Sequence, residues 1–151
     1  MRKNVLAWMA TAVVSLLSVG LTGCHKDELI GDWDPMEWKA DVKMKNHTVT
    51  VSPQGGTYQF TCTNYQSFWL SDIEEEIFDK VTNRLTVTYS HPKEDDNDYR
   101  NIKGEWVEAS VHGNVMTVAV APNETGRNRS AKVVPTGGDI FDYFYFEQPV
   151  E

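Results

Sequence analysis

Tyr143 and Tyr145 lie two residues apart in the run Ile140 to Val150, so in an extended chain both rings project from one face, each tipped by a hydroxyl. Rings spaced in this way form a flat stripe on which the C–H faces of a sugar can stack while neighbouring polar groups fix its hydroxyls. Trp33 and Trp38 offer a second pair nearer the N-terminus. The competing role for all four is packing, against the segment before the first strand or against an inserted strand, because an exposed apolar patch needs a partner to explain it.

Other candidate groups carry less. The acidic run Glu94 to Asp98 has oxygen ligands for a hard cation, but it lacks the alternating Asp spacing, the central Gly and the terminal Glu of a calcium loop. It reads as a solvated loop. His25, His47, His91 and His112 are scattered without paired ligand spacing, so no metal site and no cofactor is expected. No Gly-x-Ser-x-Gly elbow, phosphate-cradling glycine loop or Cys-His arrangement occurs, and scattered carboxylates do not by themselves nominate a glycosidase. The chain is expected not to be an enzyme.

Cys24 is different because of what precedes it. Arg2 and Lys3 form a positive start, and Val5 to Leu21 is an apolar run broken only by Thr11, Ser15 and Ser18. A membrane-spanning anchor is one reading of such a run. Leu21-Thr22-Gly23-Cys24, however, resembles the lipobox of bacterial lipoproteins, an apolar residue and two small ones before a cysteine whose thiol receives diacylglycerol. That resemblance implies a signal peptide over 1–23, lipidation of Cys24, and a lipid anchor to the membrane, with the protein at the outer membrane or cell surface. Acylation at several positions exceeds the marginal binding of one chain, at about 0.8 kcal/mol per buried CH₂. His25-Lys26-Asp27-Glu28 looks like a surface-export signal of Bacteroidetes lipoproteins and equally like an ordinary charged tether.

Charge excludes one class of partner. The sequence has 14 Lys and Arg against 22 Asp and Glu, and without Arg2 and Lys3 the balance is 12 − 22 = −10. Phosphate backbones are bound by clustered cations, so no nucleic acid partner is expected. If Cys24 carries lipid, Cys62 has no intradomain partner.

The elements that must position these groups show a period of two. A first strand is expected near Glu37 to Met44, with Trp38, Ala40, Val42 and Met44 on one face, after a tether over 24–36. Thr57 to Thr63 alternates Tyr58, Phe60 and Cys62 with polar residues, which turns Cys62 inward. Phe68 to Ile73 is a further apolar run, Glu74 to Glu76 a bend or short helical turn, Arg84 to Ser90 a strand, and His91 to Gly104 an exposed loop. Trp106 to His112 and Val115 to Ala121 form a hairpin across Gly113-Asn114, followed by strands at Ser130 to Thr136 and Ile140 to Val150. About eight short strands without a long helix predict an antiparallel sandwich.

The order Val51-Ser52-Pro53-Gln54-Gly55-Gly56-Thr57, Trp69, Trp106-Val107, Val118 to Asn123, Arg129 to Val133 and Gln148 resembles a BACON domain, a Bacteroidetes-associated family named for proposed carbohydrate binding. The resemblance covers about residues 48 to 149 and implies an all-β, immunoglobulin-like antiparallel β-sandwich over 37–151, with Trp69 and Trp106 as core tryptophans. The stretch 74–104 is longer than the resemblance leads one to expect. Together these features predict a lipid-anchored cell-envelope accessory or binding module that contacts glycans or other envelope proteins. The alternative is a non-catalytic structural or adhesion subunit whose sheet edge pairs with a partner strand.

Overall fold

The computed structural model describes residues 33–77, 81, 84–90 and 99–150. The expected signal segment, Cys24, most of the expected tether and the acidic run 94–98 lie outside the described residues.

Ten strands form two five-stranded sheets: β1 Trp38–Ala40, β2 Thr48–Thr50, β3 Gly56–Cys62, β4 Trp69–Ile77, β5 Leu85–Ser90, β6 Asn101–Lys103, β7 Val107–His112, β8 Val115–Val120, β9 Arg129–Thr136 and β10 Phe144–Gln148. One sheet runs β1-β3-β8-β7-β6 and the other β2-β10-β9-β4-β5. Taken in chain order, β1-β3-β8-β7 reproduces the A-B-E-D sheet of immunoglobulin domains, and β10-β9-β4-β5 the G-F-C sheet extended by C′. The domain is therefore an immunoglobulin-like β-sandwich. It is mixed rather than purely antiparallel, because β2 pairs with β10 in parallel.

Alternation places the core. Phe60 and Cys62 on β3, Ala109 and Val111 on β7, Met116, Val118 and Val120 on β8, and Phe144 and Phe146 on β10 are all buried. Phe60 sits with its ring centroid 4.7 Å from Phe144 and 5.9 Å from Phe146. Removing one such ring costs about 3–5 kcal/mol, so this cluster dominates the packing. Cys62 is a free, buried thiol.

Several expectations are corrected. Glu74 to Glu76 is neither bend nor helical turn: β4 continues through it to Ile77, pairing with both β5 and β9. The expected loop 91–104 contains β6, whose Ile102 is buried. The first strand stops at Ala40, although Val42 and Met44 still pack on the core. The last strand begins at Phe144 rather than Ile140.

Trp69 is 41% exposed, not a core residue, whereas Trp106 is buried as expected. The register of β4 against β9 shifts between Leu70 and Asp72, and Leu70 stands opposite Pro135. Proline has no N–H to give the ladder, so it is accommodated at a bulge. That bulge puts Leu70 and Ile73, three apart, in the core and turns Trp69 outward.

The segment before β1 is docked from Asp34 onward. The Tyr65 hydroxyl donates to the Asp34 carbonyl at 2.7 Å, the Asn64 amide to Pro35 at 2.8 Å, and the Glu37 N–H to Asn64 at 2.9 Å. Met36 is buried beside them.

Candidate functional site

The outer face of the second sheet carries the tyrosine pair. Because Phe144 and Phe146 on β10 are fully buried, the intervening Tyr145 and the preceding Tyr143 must face solvent, and they are 43% and 45% exposed. Opposite Tyr145 on β9 stands Lys132, whose ammonium lies 2.8 Å from Glu74 on β4 and 5.6 Å from the Tyr143 ring centroid. The hydrogen bond to Glu74 raises the Lys132 pKa above the ordinary lysine value, against the opposing effect of desolvation. The face thus combines two half-exposed phenol rings with a fixed cation and a carboxylate, the complement a polyhydroxylated ring would meet.

Asp142 anchors the start of this stripe. Its carboxylate accepts the Trp38 indole N–H at 2.7 Å and the Tyr143 backbone N–H at 2.8 Å, and its other contact is His47 Nδ1 at 3.0 Å. His47 reaches it from a two-residue turn in which Lys45 and Thr48 exchange backbone hydrogen bonds at 3.0 and 2.9 Å. Asn46 and His47 both have positive φ, 49° and 56°, the geometry of a type I′ turn. The His47 ring then stacks on Phe144 at 4.8 Å with an interplanar angle of 5°.

The sequence candidates therefore separate. Trp38 is consumed in support of the site, edge-on to Phe68 at 5.1 Å and Phe144 at 5.0 Å and hydrogen-bonded to Asp142. Trp33 is 57% exposed. The four aromatics do not form one platform: Tyr143 and Tyr145 share a face, and Trp38 lies on the inner side of β10.

At the far end of β10 a cleft of about 290 Å³ opens between the β8–β9 connection and the ends of β4 and β5, lined by Glu76, Glu105, Trp106, Arg127, Asn128 and Arg129 among others. Arg129 governs it. Its guanidinium lies 4.1 Å from the Trp106 ring centroid and donates to Gln148 Oε1 at 2.8 Å and to the carbonyls of Ala121 and Pro122, each at 2.9 Å. Desolvation lowers its pKa, and the charges of Glu75 and Glu105 oppose that shift. Gln148, 1% exposed, donates onward to Ser52 and Ala121. With Nε and Nη2 committed to Gln148, Ala121 and Pro122, most of the Arg129 fork is spent on holding the cleft wall.

Glu75 and Asp142 escaped the sequence reading, and Arg129 entered it only as part of the BACON-like order, without a role. No period marks Glu75 or Asp142, since Glu75 accepts backbone N–H groups and Asp142 the Trp38 and His47 side chains, all brought close only by the fold. Among the described residues no cluster of three or more His, Cys, Asp or Glu is arranged to hold a metal ion, and no helix is long and apolar enough to cross a membrane.

No family model matches the chain, and no curated protein matches it. Among solved structures, a protein from Bacteroides thetaiotaomicron determined by NMR is 31% identical, with a TM-score of 0.62, over 85% of this chain and 98% of that one. The M1 domain of titin is 12% identical over 78% of this chain and 96% of its own, with a TM-score of 0.41.

Proposed function

We propose that this chain, which belongs to one family with the Bacteroides thetaiotaomicron protein, is a non-catalytic binding module of the bacterial cell envelope, lipid-anchored through Cys24, that contacts glycans. The observation that carries the glycan reading is the outward pair Tyr143 and Tyr145 beside the Lys132–Glu74 ion pair. The rings supply apolar area for C–H faces, and the charged pair supplies one donor and one acceptor for hydroxyls. A bacterial source for the relative and the lipobox-like Leu21 to Cys24 support the envelope location.

The test is a glycan array probed with the purified chain and with the Tyr143→Ala, Tyr145→Ala double variant. Binding to a defined glycan set that falls at least about tenfold in the variant, with circular dichroism unchanged, supports the reading; each stacked ring is worth about 1 kcal/mol. Silence across plant, mucin and microbial glycans overturns it. Palmitate labelling in the native host, abolished by Cys24→Ala, tests the anchor separately.

A structural or adhesion role is the second reading. One observation favours it: the second sheet ends in an uncharged strand of six residues, β5.

A further inference from the structure

A β-sheet edge is a row of N–H and C=O groups without partners, and proteins guard such edges by shortness, charge, proline or bulges. The two sheets here end at β1, β6, β2 and β5. The first three are three residues each, too short to template another strand. β5 is six residues, Leu85-Thr86-Val87-Thr88-Tyr89-Ser90, with no charge and no proline. Its register on β4 runs without a shift from Ile77 opposite Leu85 to Asp72 opposite Ser90, so no bulge twists it away. Among the described residues no strand pairs with its outer side.

The side chains of β5 are symmetric about Val87. One step in either direction is a threonine, Thr86 or Thr88, and two steps away is a large apolar residue, Leu85 or Tyr89. A two-fold axis perpendicular to an antiparallel sheet must pass between a residue and its own copy, because only then do facing side chains share a face. With the axis at Val87, Val87 meets Val87, each Thr86 meets Thr88, and each Leu85 meets Tyr89. Apolar pairs and threonine pairs are the cross-strand combinations that stabilise a ladder. Leu85, Val87 and Tyr89 lie on the face that carries buried Ile73 and Glu75 on β4, yet Leu85 is 48% exposed, and Val87 and Tyr89 are only half-buried.

We propose that β5 pairs antiparallel with β5 of a second copy of this chain, centred on Val87, joining two five-stranded sheets into one of ten strands. Charge does not oppose it. Glu74 and Glu76 on the neighbouring β4 are paired with Lys132 at 2.8 Å and Arg84 at 3.3 Å. In the assembly the β4 strands of the two copies stand three strand spacings apart, about 14 Å, beyond the screening length of about 8 Å. The assembly stands whether or not the outer face binds glycans, and pairing two copies would double the number of tyrosine stripes on one continuous sheet.

Cysteine scanning on the full-length chain in intact cells tests the register. Val87→Cys is expected to give an oxidant-dependent homodimer on a non-reducing gel. Thr86→Cys alone should give none, because its own copy is offset along the ladder beyond disulfide reach, but Thr86→Cys co-expressed with Thr88→Cys should cross-link. In sedimentation equilibrium of the detergent-extracted chain, Val87→Lys is expected to weaken self-association by at least about tenfold while leaving the circular dichroism unchanged, since like charges would face each other. The proposal is overturned if the wild-type chain sediments as a monomer throughout, if Thr86→Cys alone cross-links as well as Val87→Cys, or if Cys at position 87 couples only to a different protein. Should Val87→Lys fail to fold, the cysteine pattern still decides.

Discussion

The carboxylate of Glu75, fully buried on β4, accepts the backbone N–H of Val107 at 2.6 Å, and through the same head group it accepts Trp106 and Glu105 at 2.9 Å each. One side chain of the second sheet thereby terminates three backbone donors at the start of β7 in the first. Gly104 makes the approach possible, because a Cβ there would run into the Glu75 carboxylate. Glu75→Ala strands buried donors and is expected to cost about 3 kcal/mol or more, with Glu75→Gln intermediate at about 1–2 kcal/mol. Gly104→Ala should destabilise by overpacking the same contact, by about 1–3 kcal/mol. Urea unfolding measures all three, and a Glu75→Ala midpoint equal to wild type would refute the anchoring role.

Arg129 ties the far end of β10 in a comparable way, but with a donor fork instead of an acceptor. Arg129→Lys keeps the charge yet cannot reach Gln148, Ala121 and Pro122 together, so a loss of about 1–3 kcal/mol is expected. Because Arg129 and Gln148 share a hydrogen bond, Arg129→Lys and Gln148→Leu should combine non-additively in a double-mutant cycle. Strict additivity of the two melting shifts would show that the network is not a unit.

The distribution of these anchors explains what was legible in the residue order. β3, β7, β8 and β10 could be read directly because their inner faces are apolar at every second position, which also put Tyr143 and Tyr145 outside once Phe144 and Phe146 were inside. β4 could not, because Glu74, Glu75 and Glu76 look like one solvated run although the middle carboxylate is consumed within the protein. β6 is three residues with one apolar side chain, Ile102, below what a period can reveal. Trp69 was misplaced because the bulge opposite Pro135 changes the phase of the strand, and nothing near Trp69 in the chain announces a proline brought opposite by the fold. The support of the tyrosine stripe by Asp142 was invisible for the same reason.

That support is testable. Asp142→Ala leaves the Trp38 indole and His47 without their shared acceptor and is expected to cost about 1–3 kcal/mol. Because Asp142 also caps the Tyr143 N–H at 2.8 Å, the change should loosen the start of the stripe as well. Asp142→Asn, which retains an acceptor oxygen, should recover part of the stability. Thermal melts order the three proteins, and the prediction fails if Asp142→Asn is no more stable than Asp142→Ala.

Alkaline pH should weaken the sandwich through three groups that the fold holds protonated: Lys132, Tyr89 and Tyr65, the last raised chiefly by desolvation. Lys132 is raised above its ordinary pKa chiefly by the hydrogen bond to Glu74, and Tyr89 by desolvation followed by the charges of Glu75 and Glu105. A raised pKa in the folded state means that the native protein holds the proton more tightly than the unfolded chain. Their contribution is therefore complete below the unfolded values, about pH 10 for both types, and is lost as pH rises through the folded ones. The melting temperature should stay level on this account up to about pH 10 and then fall. Lys132→Gln, which removes one of these titrations, should fall less steeply than wild type over the same interval. Identical alkaline slopes for the two proteins would show that the Lys132–Glu74 pair contributes nothing to stability.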